Sequence, residues 1–351
     1  MSIGDFVEAN LGESIDSLIT LDVKSQGLMP SLYQAARELI GGPLVLEAAR
    51  SLVDVAEPNS NVLICTGFRA HAWENGETDG VIGAVVLARA LEVGLNVHPV
   101  IVCESELVDA VKGLVRVSGL HPDTNCEESC GFPHSVKICS FTKDEHAAPK
   151  EAKEMLGLFR PVALVSVERP GKNSKGVYHS MGGADVSEFT SKIDYLFQLR
   201  SEEILTIAIG DLGNELGLGK IRNTTRKVLM YGKECQCPCK GGIACAVDAD
   251  KIIIALVSDW GAYGLGAEVA FLTKKPEAFH DGGMEDDLLQ TAARYGLVSD
   301  SSGYCRPGID SIGKDFHVSF VKILRTMLDH AHMLRTRPPR IYELYSEMRS
   351  K

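Results

Sequence analysis

The sequence predicts an α/β fold: a mostly parallel sheet with helices on both faces and an N-terminal helical arm. From residue 61 onward, short apolar runs alternate with segments of helical periodicity, which is the pattern of strand–helix–strand units. These runs are nearly continuous, as expected of strands that are buried on both faces. Before residue 61 the apolar residues recur at helical spacing. We therefore expect a helical arm at 1–60, packed on a single α/β domain at 61–351.

The predicted elements follow one another with loops rich in Gly, Pro, Asn, Asp and Ser between them. Helical periodicity covers the arm as far as residue 56. Strands are predicted at 62–65, 97–103, 136–141, 161–167, 204–209 and 251–257. Helices after the arm are predicted at 81–93, 106–118, 148–158, 187–200, 265–272, 285–296 and 316–335. The segments 121–134 and 221–250 are predicted to be irregular and contain cysteines.

Composition and charge exclude several classes of function. The chain has 351 residues, 45% of them hydrophobic, and a formal net charge of −11. An acidic chain is a poor match for nucleic acid, and no apolar run approaches the ~20 residues of a membrane span. The first 23 residues contain five acidic residues, and Lys24 is the first basic one, which is unlike a signal or transit peptide. We therefore expect a cytoplasmic protein whose partner is a small molecule, with no nucleic acid and no membrane.

The segment 204–219 is the strongest candidate for a site. Its apolar run stops abruptly, and glycines then alternate with polar side chains, as in a buried strand that ends at a tight loop. The residues concerned are Gly210, Asp211, Gly213, Asn214 and Glu215. In an open parallel sheet, ligands bind beyond the carboxyl ends of the strands. The alternative is a Gly-rich connection with solvated carboxylates.

Three further polar loops follow strand ends, so that four converge on one edge of the predicted sheet. Their polar residues are Glu77, Thr78 and Asp79; Glu168 and Arg169; and Ser258 and Asp259. We expect these side chains to share a single small-molecule pocket.

Each of these residues also has a purely structural interpretation. Glu77 and Asp79 could be metal ligands or a general base, and Asp79 could instead cap a helix. Arg69 could bind a substrate carboxylate or form a surface salt bridge. His71 could be catalytic or an ordinary loop residue.

The same holds for the loops after the later strands. Glu168 and Arg169 could bind substrate or form an ion pair that locks the loop. Asp259 and Trp260 could be a ligand with an aromatic wall, or a helix cap beside a buried indole.

Clustered carboxylates suggest a hard divalent cation such as Mg²⁺ or Mn²⁺, or cationic groups on the substrate. Like charges at close range would also raise each other's pKa, which suits a general acid or base. The glycine spacing does not match a dinucleotide or nucleoside-triphosphate loop, so no nucleotide cofactor is expected.

The ten cysteines are expected to be reduced thiols. Two groups could hold zinc, although neither has the usual spacing and buried or surface thiols remain the alternative. The first group is Cys235, Cys237 and Cys239 with Cys245. The second is Cys126 and Cys130 with His121 and His134.

Four motifs in order resemble the D-glutamate cyclase C-terminal domain family over about residues 28–335. They lie at 77–92 (ETDGVIGAVVLARALE), 167–173 (VERPGKN, followed by Tyr178, Met181 and Gly182), 209–219 (IGDLGNELGLG) and 257–263 (VSDWGAY). The chain departs from the family pattern at Leu212, where a glycine is expected, at Asp259, where an asparagine is expected, and at Gly183, where an arginine is common.

The resemblance implies a lyase that interconverts D-glutamate and 5-oxo-D-proline plus water, or acts on a related small amino or hydroxy acid. It also implies the mitochondrial matrix as an alternative location. The remaining alternatives are a metal-dependent hydrolase of a small metabolite, such as a phosphorylated one, and a non-catalytic ligand-binding module.

For the cyclase reaction, the resemblance and the residue chemistry together suggest roles. Glu77 or Glu215 would take a proton from the substrate amine. Amide N–H groups of the loop 210–214 or a cation would stabilise the oxyanion. Arg169 or Arg69 would hold the α-carboxylate, with Thr78, Glu168, Ser258 and Trp260 around the substrate. Asp79, Asp211 and Asp259 would bind the ammonium group or a metal.

Overall fold

A computed structural model describes residues 3–69, 76–129, 131–299, 303–337, 339–341 and 348. His71 and Cys130 lie outside these residues. The main sheet has seven strands, and every pairing between them is parallel. The strands are β1 (Asn61–Thr66), β2 (His98–Cys103), β3 (His121–Asp123), β4 (Ser135–Ser140), β5 (Ala163–Val167), β6 (Leu205–Gly210) and β7 (Lys251–Ile254); β8 (Gly308–Ile309) and β9 (Ile312–Gly313) form a separate short hairpin.

The strand order is β3-β4-β2-β1-β5-β6-β7, and this order places the site. From β1 the chain builds outward through β2, and it then returns to add β5 on the other side of β1. The order therefore reverses between β1 and β5. In open α/β sheets the ligand crevice lies at such a reversal, outside the carboxyl ends of the strands.

Helices surround the sheet, so the α/β prediction is confirmed. They are α1 (Ile3–Ile19), α2 (Met29–Ile40), α3 (Leu44–Val55), α4 (Val81–Leu95), α5 (Val108–Val117), α6 (Ala148–Phe159), α7 (Asp194–Leu199), α8 (Arg222–Val228), α9 (Ser258–Leu272), α10 (Gly282–Arg294) and α11 (Lys314–Thr336). One hydrophobic cluster contains side chains from α1 to α3, the sheet and α11. The division at residue 60 stays a prediction. No helix in the described part of the chain has both the length and the apolar composition of a membrane span.

Two predicted helices begin about seven residues away from the predicted start, whereas the others differ by three residues or fewer. The helix predicted at 187–200 begins only at Asp194, because the preceding backbone donors bond elsewhere: the Ser191 N–H donates to Glu104 Oε1 (3.0 Å) and the Lys192 N–H to the Thr142 carbonyl (2.9 Å). Conversely, α9 begins at Ser258 instead of residue 265, because a side chain distant in sequence caps it. The predicted irregular segments also contain two short elements, β3 and α8.

The expectation of reduced thiols is wrong for one pair. Cys126, in the loop after β3, forms a disulfide with Cys139 of β4, with Cα atoms 5.9 Å apart. Lys137 holds this loop against the strand, since its ammonium donates to Asp123 Oδ2 and to the Asn125 carbonyl (both 2.7 Å). The second candidate zinc group therefore loses one of its thiols.

Candidate active site

A cavity of about 620 Å³ lies at the carboxyl edge of the sheet, beside the reversal in strand order. Four carboxylates line it: Glu168 after β5, Asp211 after β6, Glu77 before α4 and Asp310 in the β8–β9 turn. Phe68, which follows β1, supplies an apolar wall. The cavity thus joins an acidic interior to one hydrophobic surface.

Asp79, Glu168 and Asp211 form the centre of this cluster. One carboxylate oxygen from each lies within 4.8 Å of the other two, and all three residues are buried. Oxygen donors at this separation suit a hard divalent cation, or a substrate ammonium group. The carboxylate of Asp259, which the sequence also suggested as a metal ligand, is not a member of this group.

Burial and mutual repulsion raise the pKa of every carboxyl in the cluster. Burial raises the pKa of Asp79 to about 7, assisted by the charge of Asp310. The pKa values of Glu168 and Asp211 lie well above the ordinary range, first because of burial and then because of neighbouring carboxylates. Burial and neighbouring carboxylates also raise the pKa of the half-buried Glu77. Burial and neighbouring negative charge therefore favour the protonated form of these carboxyl groups.

Asp79 caps the start of α9, and Asp259, which lies on α9, caps the start of α4. Asp79 precedes α4, but its carboxylate accepts the N–H groups of Ser258 (3.1 Å) and Asp259 (2.8 Å) at the start of α9. Asp259 Oδ1 in turn accepts the N–H groups of Gly80 (2.8 Å) and Gly83 (2.7 Å) at the start of α4. The two caps satisfy amides at the starts of α4 and α9, and they fix both loops together.

Glu168 bridges β5 and α9. It has a positive φ of 41°, which is uncommon outside glycine, and its Oε2 accepts the hydroxyl of Ser258. The strained backbone directs the Glu168 carboxylate into the cavity while the Arg169 side chain turns into the protein interior.

Glu215 is enclosed by its own loop. Its carboxylate accepts the N–H groups of Asp211 (3.2 Å), Leu212 (3.0 Å) and Gly213 (2.6 Å). These amides were predicted to stabilise an oxyanion, but here they bind the Glu215 side chain. Glu215 is fully buried and shapes the loop that presents Asp211.

The loop 210–214 is as tight as the glycine pattern predicts. Gly213 has φ of 93°, and a Cβ there would overlap the hydroxyl of Thr225. A Cβ on Gly210 would lie 2.8 Å from Glu215 Cδ. Asp211 Oδ1 and Asn214 Oδ1 are buried and have no hydrogen-bond partner among the described residues. Both oxygens are therefore free to accept from a ligand.

Arg169 is a structural residue in this arrangement. Its guanidinium is fully buried and donates to Glu104 Oε1 (2.5 Å) and to the carbonyls of Thr66 (3.3 Å), Gly67 (2.7 Å) and Ser191 (2.6 Å). It ties the end of β1 to the loop before α7. The ion pair foreseen between Glu168 and Arg169 is instead formed by Glu104 and Arg169.

Three other predicted binding residues also have partners within the protein. Arg69 donates to Glu106 Oε1 (2.6 Å), which is the salt-bridge alternative. The Thr78 hydroxyl donates to the Val298 carbonyl (3.0 Å). The Trp260 indole N–H donates to His317 Nδ1 (3.0 Å) inside the hydrophobic core, away from the cavity.

The N-terminal arm contributes a cation to the cavity. Lys24, between α1 and α2, lines the cavity and pairs with Asp310 of the β8–β9 turn. Burial alone would lower the pKa of Lys24, but the charges of Asp310 and Asp211 raise it overall. The ammonium therefore stays charged at the rim of an acidic pocket.

With this geometry in place, the chain can be compared with known proteins. The sequence model described as "D-glutamate cyclase-like, C-terminal" matches residues 15–325. The chain belongs to this family. It is similar to human mitochondrial D-glutamate cyclase, with 29% identity over 268 residues. The match covers 74% of this chain and 38% of the human protein, so the chain spans well under half of that relative.

Sequence reasoning missed two charged residues that line the cavity, Lys24 and Asp310, and the buried Glu104 that pairs with Arg169. Glu104 directly follows β2, so the strand-end rule that found Glu168 could have found it. Lys24 and Asp310 gave no signal, because they lie on loops outside the strand–helix alternation.

Proposed function

We propose that this chain is a D-glutamate cyclase-like lyase that interconverts D-glutamate and 5-oxo-D-proline plus water, or acts on a related small amino acid. The observation that carries the proposal is a buried cluster of carboxyl groups with raised pKa values, facing a lysine across one cavity. Membership of the family supports the same reaction class.

The charges of the cavity complement those of an amino acid. The carboxylates of Glu77, Glu168 and Asp211 face the cavity and suit a substrate ammonium group. Lys24 is the cationic group at the rim and would bind the substrate α-carboxylate. Arg169, which was predicted for that role, is occupied by Glu104 and main-chain carbonyls.

Ring closure requires a general base and a general acid in the same cavity. The substrate nitrogen must lose two protons as it forms the amide bond, and the γ-carboxylate oxygen must gain two to leave as water. Asp211 is placed to take protons from nitrogen, because its Oδ1 is buried without a partner in the described structure. A protonated Glu77 or Glu168 can protonate the departing oxygen, since burial raises the pKa of both carboxyls.

Glu215 has a positioning role in this scheme. Three loop amides already donate to its carboxylate, so it can accept a substrate proton only by giving up those bonds. Its contribution is to hold Asp211 and Asn214 at the mouth of the loop.

A divalent cation is compatible with the same residues. Asp79, Glu168 and Asp211 would hold it, and Asp211 Oδ1 and Asn214 Oδ1 are additional oxygens without partners in the described structure. Such an ion would supply Lewis-acid polarisation of the carboxyl group under attack. This carboxylate group also favours a second candidate function, a metal-dependent hydrolase of a small metabolite.

A proton NMR time course with the full chain tests the proposal. D-glutamate, L-glutamate and 5-oxo-D-proline are incubated separately, with Mg²⁺, with Mn²⁺ and with chelator. We expect D-glutamate and 5-oxo-D-proline to interconvert, and Asp211→Asn to lower the rate at least 100-fold, as is typical when a general base is removed. Asp315→Asn is the matched control, because Asp315 is 97% exposed on α11.

The outcomes separate the candidates. Interconversion that is lost in Asp211→Asn and kept in Asp315→Asn supports the cyclase. Absence of turnover under all conditions contradicts it. Hydrolysis of phosphorylated metabolites that chelator abolishes would favour the hydrolase, and thermal stabilisation by an amino acid without turnover would favour a binding module.

A further inference from the structure

Three cysteines and a histidine meet outside the acidic cavity. Cys235, Cys237 and Cys239 lie in the segment between α8 and β7, and His179 lies in the loop after β5. One ligand atom from each lies within 4.8 Å of all the others. Cys245, which the sequence grouped with the three cysteines, is not a member, and His179 takes the fourth place.

Four of the six separations between these ligand atoms lie within about 0.5 Å of the edges of a zinc tetrahedron. The sulfur of Cys235 lies 3.5 Å from that of Cys237 and 3.3 Å from that of Cys239. His179 Nε2 lies 3.3 Å from Cys237 Sγ and 3.6 Å from Cys239 Sγ. Zn–S bonds of about 2.3 Å and Zn–N bonds of about 2.0–2.1 Å give tetrahedral edges of about 3.8 Å and 3.5 Å. All three thiols are free, so no disulfide competes for these sulfurs.

Two protein groups donate hydrogen bonds to the sulfur of Cys239. They are the Gly241 N–H (3.4 Å) and Asn173 Nδ2 (3.5 Å). Hydrogen bonds from the protein to a ligand atom are the usual outer shell of a metal site, where they orient the ligand.

We propose that Cys235, Cys237, Cys239 and His179 bind one structural Zn²⁺ ion. Three thiolates and one imidazole fill all four positions of a closed tetrahedral site, which is the ligand set of structural zinc and leaves no position for substrate.

This zinc site supports one wall of the acidic cavity. The residues that follow His179, namely Ser180, Met181 and Gly182, line that cavity. The His179 carbonyl accepts the Asn214 amide (3.2 Å). Zinc therefore ties the Cys-rich segment to the loop that forms the wall, and its removal should loosen both.

Metal analysis of the full chain, purified with zinc and without chelator, tests the proposal. We expect about one zinc per chain, and at least a fivefold lower content in Cys237→Ser and in His179→Ala. Cys305→Ser is the matched control, because Cys305 is an exposed thiol outside the group, and it should keep its zinc. Asp211→Asn should also keep it, which separates this site from the acidic cluster.

A second measurement does not depend on variants that fold poorly. Co²⁺ replacing zinc in the wild-type chain should give thiolate charge-transfer and tetrahedral d–d absorption bands. Removing zinc should lower Tm, and zinc but not Mg²⁺ should restore it. Zinc-free wild-type protein, full zinc content in Cys237→Ser, or a cobalt spectrum without thiolate bands would each overturn the proposal.

Discussion

The buried pair of Arg169 and Glu104 provides the sharpest test of how this site is built. Replacing Arg169 by Met keeps a long side chain but removes four hydrogen bonds, to Glu104 and to three main-chain carbonyls. Among the described residues, the Glu104 carboxylate then accepts a hydrogen bond only from the Ser191 N–H, and its Oε2 has no partner. Leaving one partner of a buried ion pair uncompensated costs about 3–5 kcal/mol. We expect Arg169→Met to lower the free energy of unfolding by that amount.

Urea unfolding followed by circular dichroism measures this loss, provided that the m value is unchanged. Arg50→Met is the matched control, because the Arg50 side chain is 42% exposed and its ion pairs should contribute less than about 1 kcal/mol. The double variant Arg169→Met/Glu104→Gln removes the stranded charge and should be more stable than Arg169→Met alone.

The competing interpretation makes the opposite prediction. If Arg169 held the substrate carboxylate, Arg169→Met would leave stability close to that of the wild type and weaken the binding of D-glutamate or 5-oxo-D-proline. That result, measured by urea unfolding and by ligand titration, would refute the structural role.

Three further predictions concern the pocket. Burial raises the pKa of Asp79 from 3.8 to about 7, so the folded chain keeps a proton that the unfolded chain releases. The free energy of unfolding should therefore fall as the pH rises through this interval. Urea midpoints measured at each pH should show this fall, and Asp79→Asn should make it smaller. Gly213→Ala places a Cβ against the Thr225 hydroxyl at a φ of 93° and should cost more than about 2 kcal/mol, whereas Gly176→Ala, at a φ of 78° in open space, should cost about 1 kcal/mol by urea unfolding. If the cyclase proposal holds, Lys24→Met should raise KM for D-glutamate about 10-fold with a smaller change in kcat, since a charged hydrogen bond contributes roughly 1.5–3 kcal/mol. An unchanged KM in the NMR assay would contradict the binding of the substrate carboxylate by Lys24.

The sequence predicted the fold and the clustering of the strand-end carboxylates because both follow from local patterns. Continuous apolar runs indicate strands buried on both faces, and the carboxyl ends of parallel strands must share one edge. That rule was sufficient to predict that Asp79, Glu168 and Asp211 lie close together.

The direction and partners of individual side chains could not be predicted in the same way. Glu168 and Arg169 are adjacent in sequence, yet Glu168 lines the cavity while Arg169 is fully buried against Glu104, and no sequence pattern indicates which of the two takes which place. Trp260 lies at the start of a helix that is buried on every side, so its position beside a polar strand end gave no indication that it enters the core. His179 lies 58 residues before Cys237 in the sequence, and only the folded chain brings its imidazole to the three cysteines.

Lys24 has a consequence for where this chain could be divided. A fragment that starts after the arm would contain all seven strands and every acidic side chain of the cavity. It would lack Lys24, the described basic residue that lines that cavity, and the side chains of α1 to α3 that pack in the main hydrophobic cluster. Dividing the chain at residue 60 would therefore remove part of the core beneath the sheet together with the positive charge at the rim of the cavity.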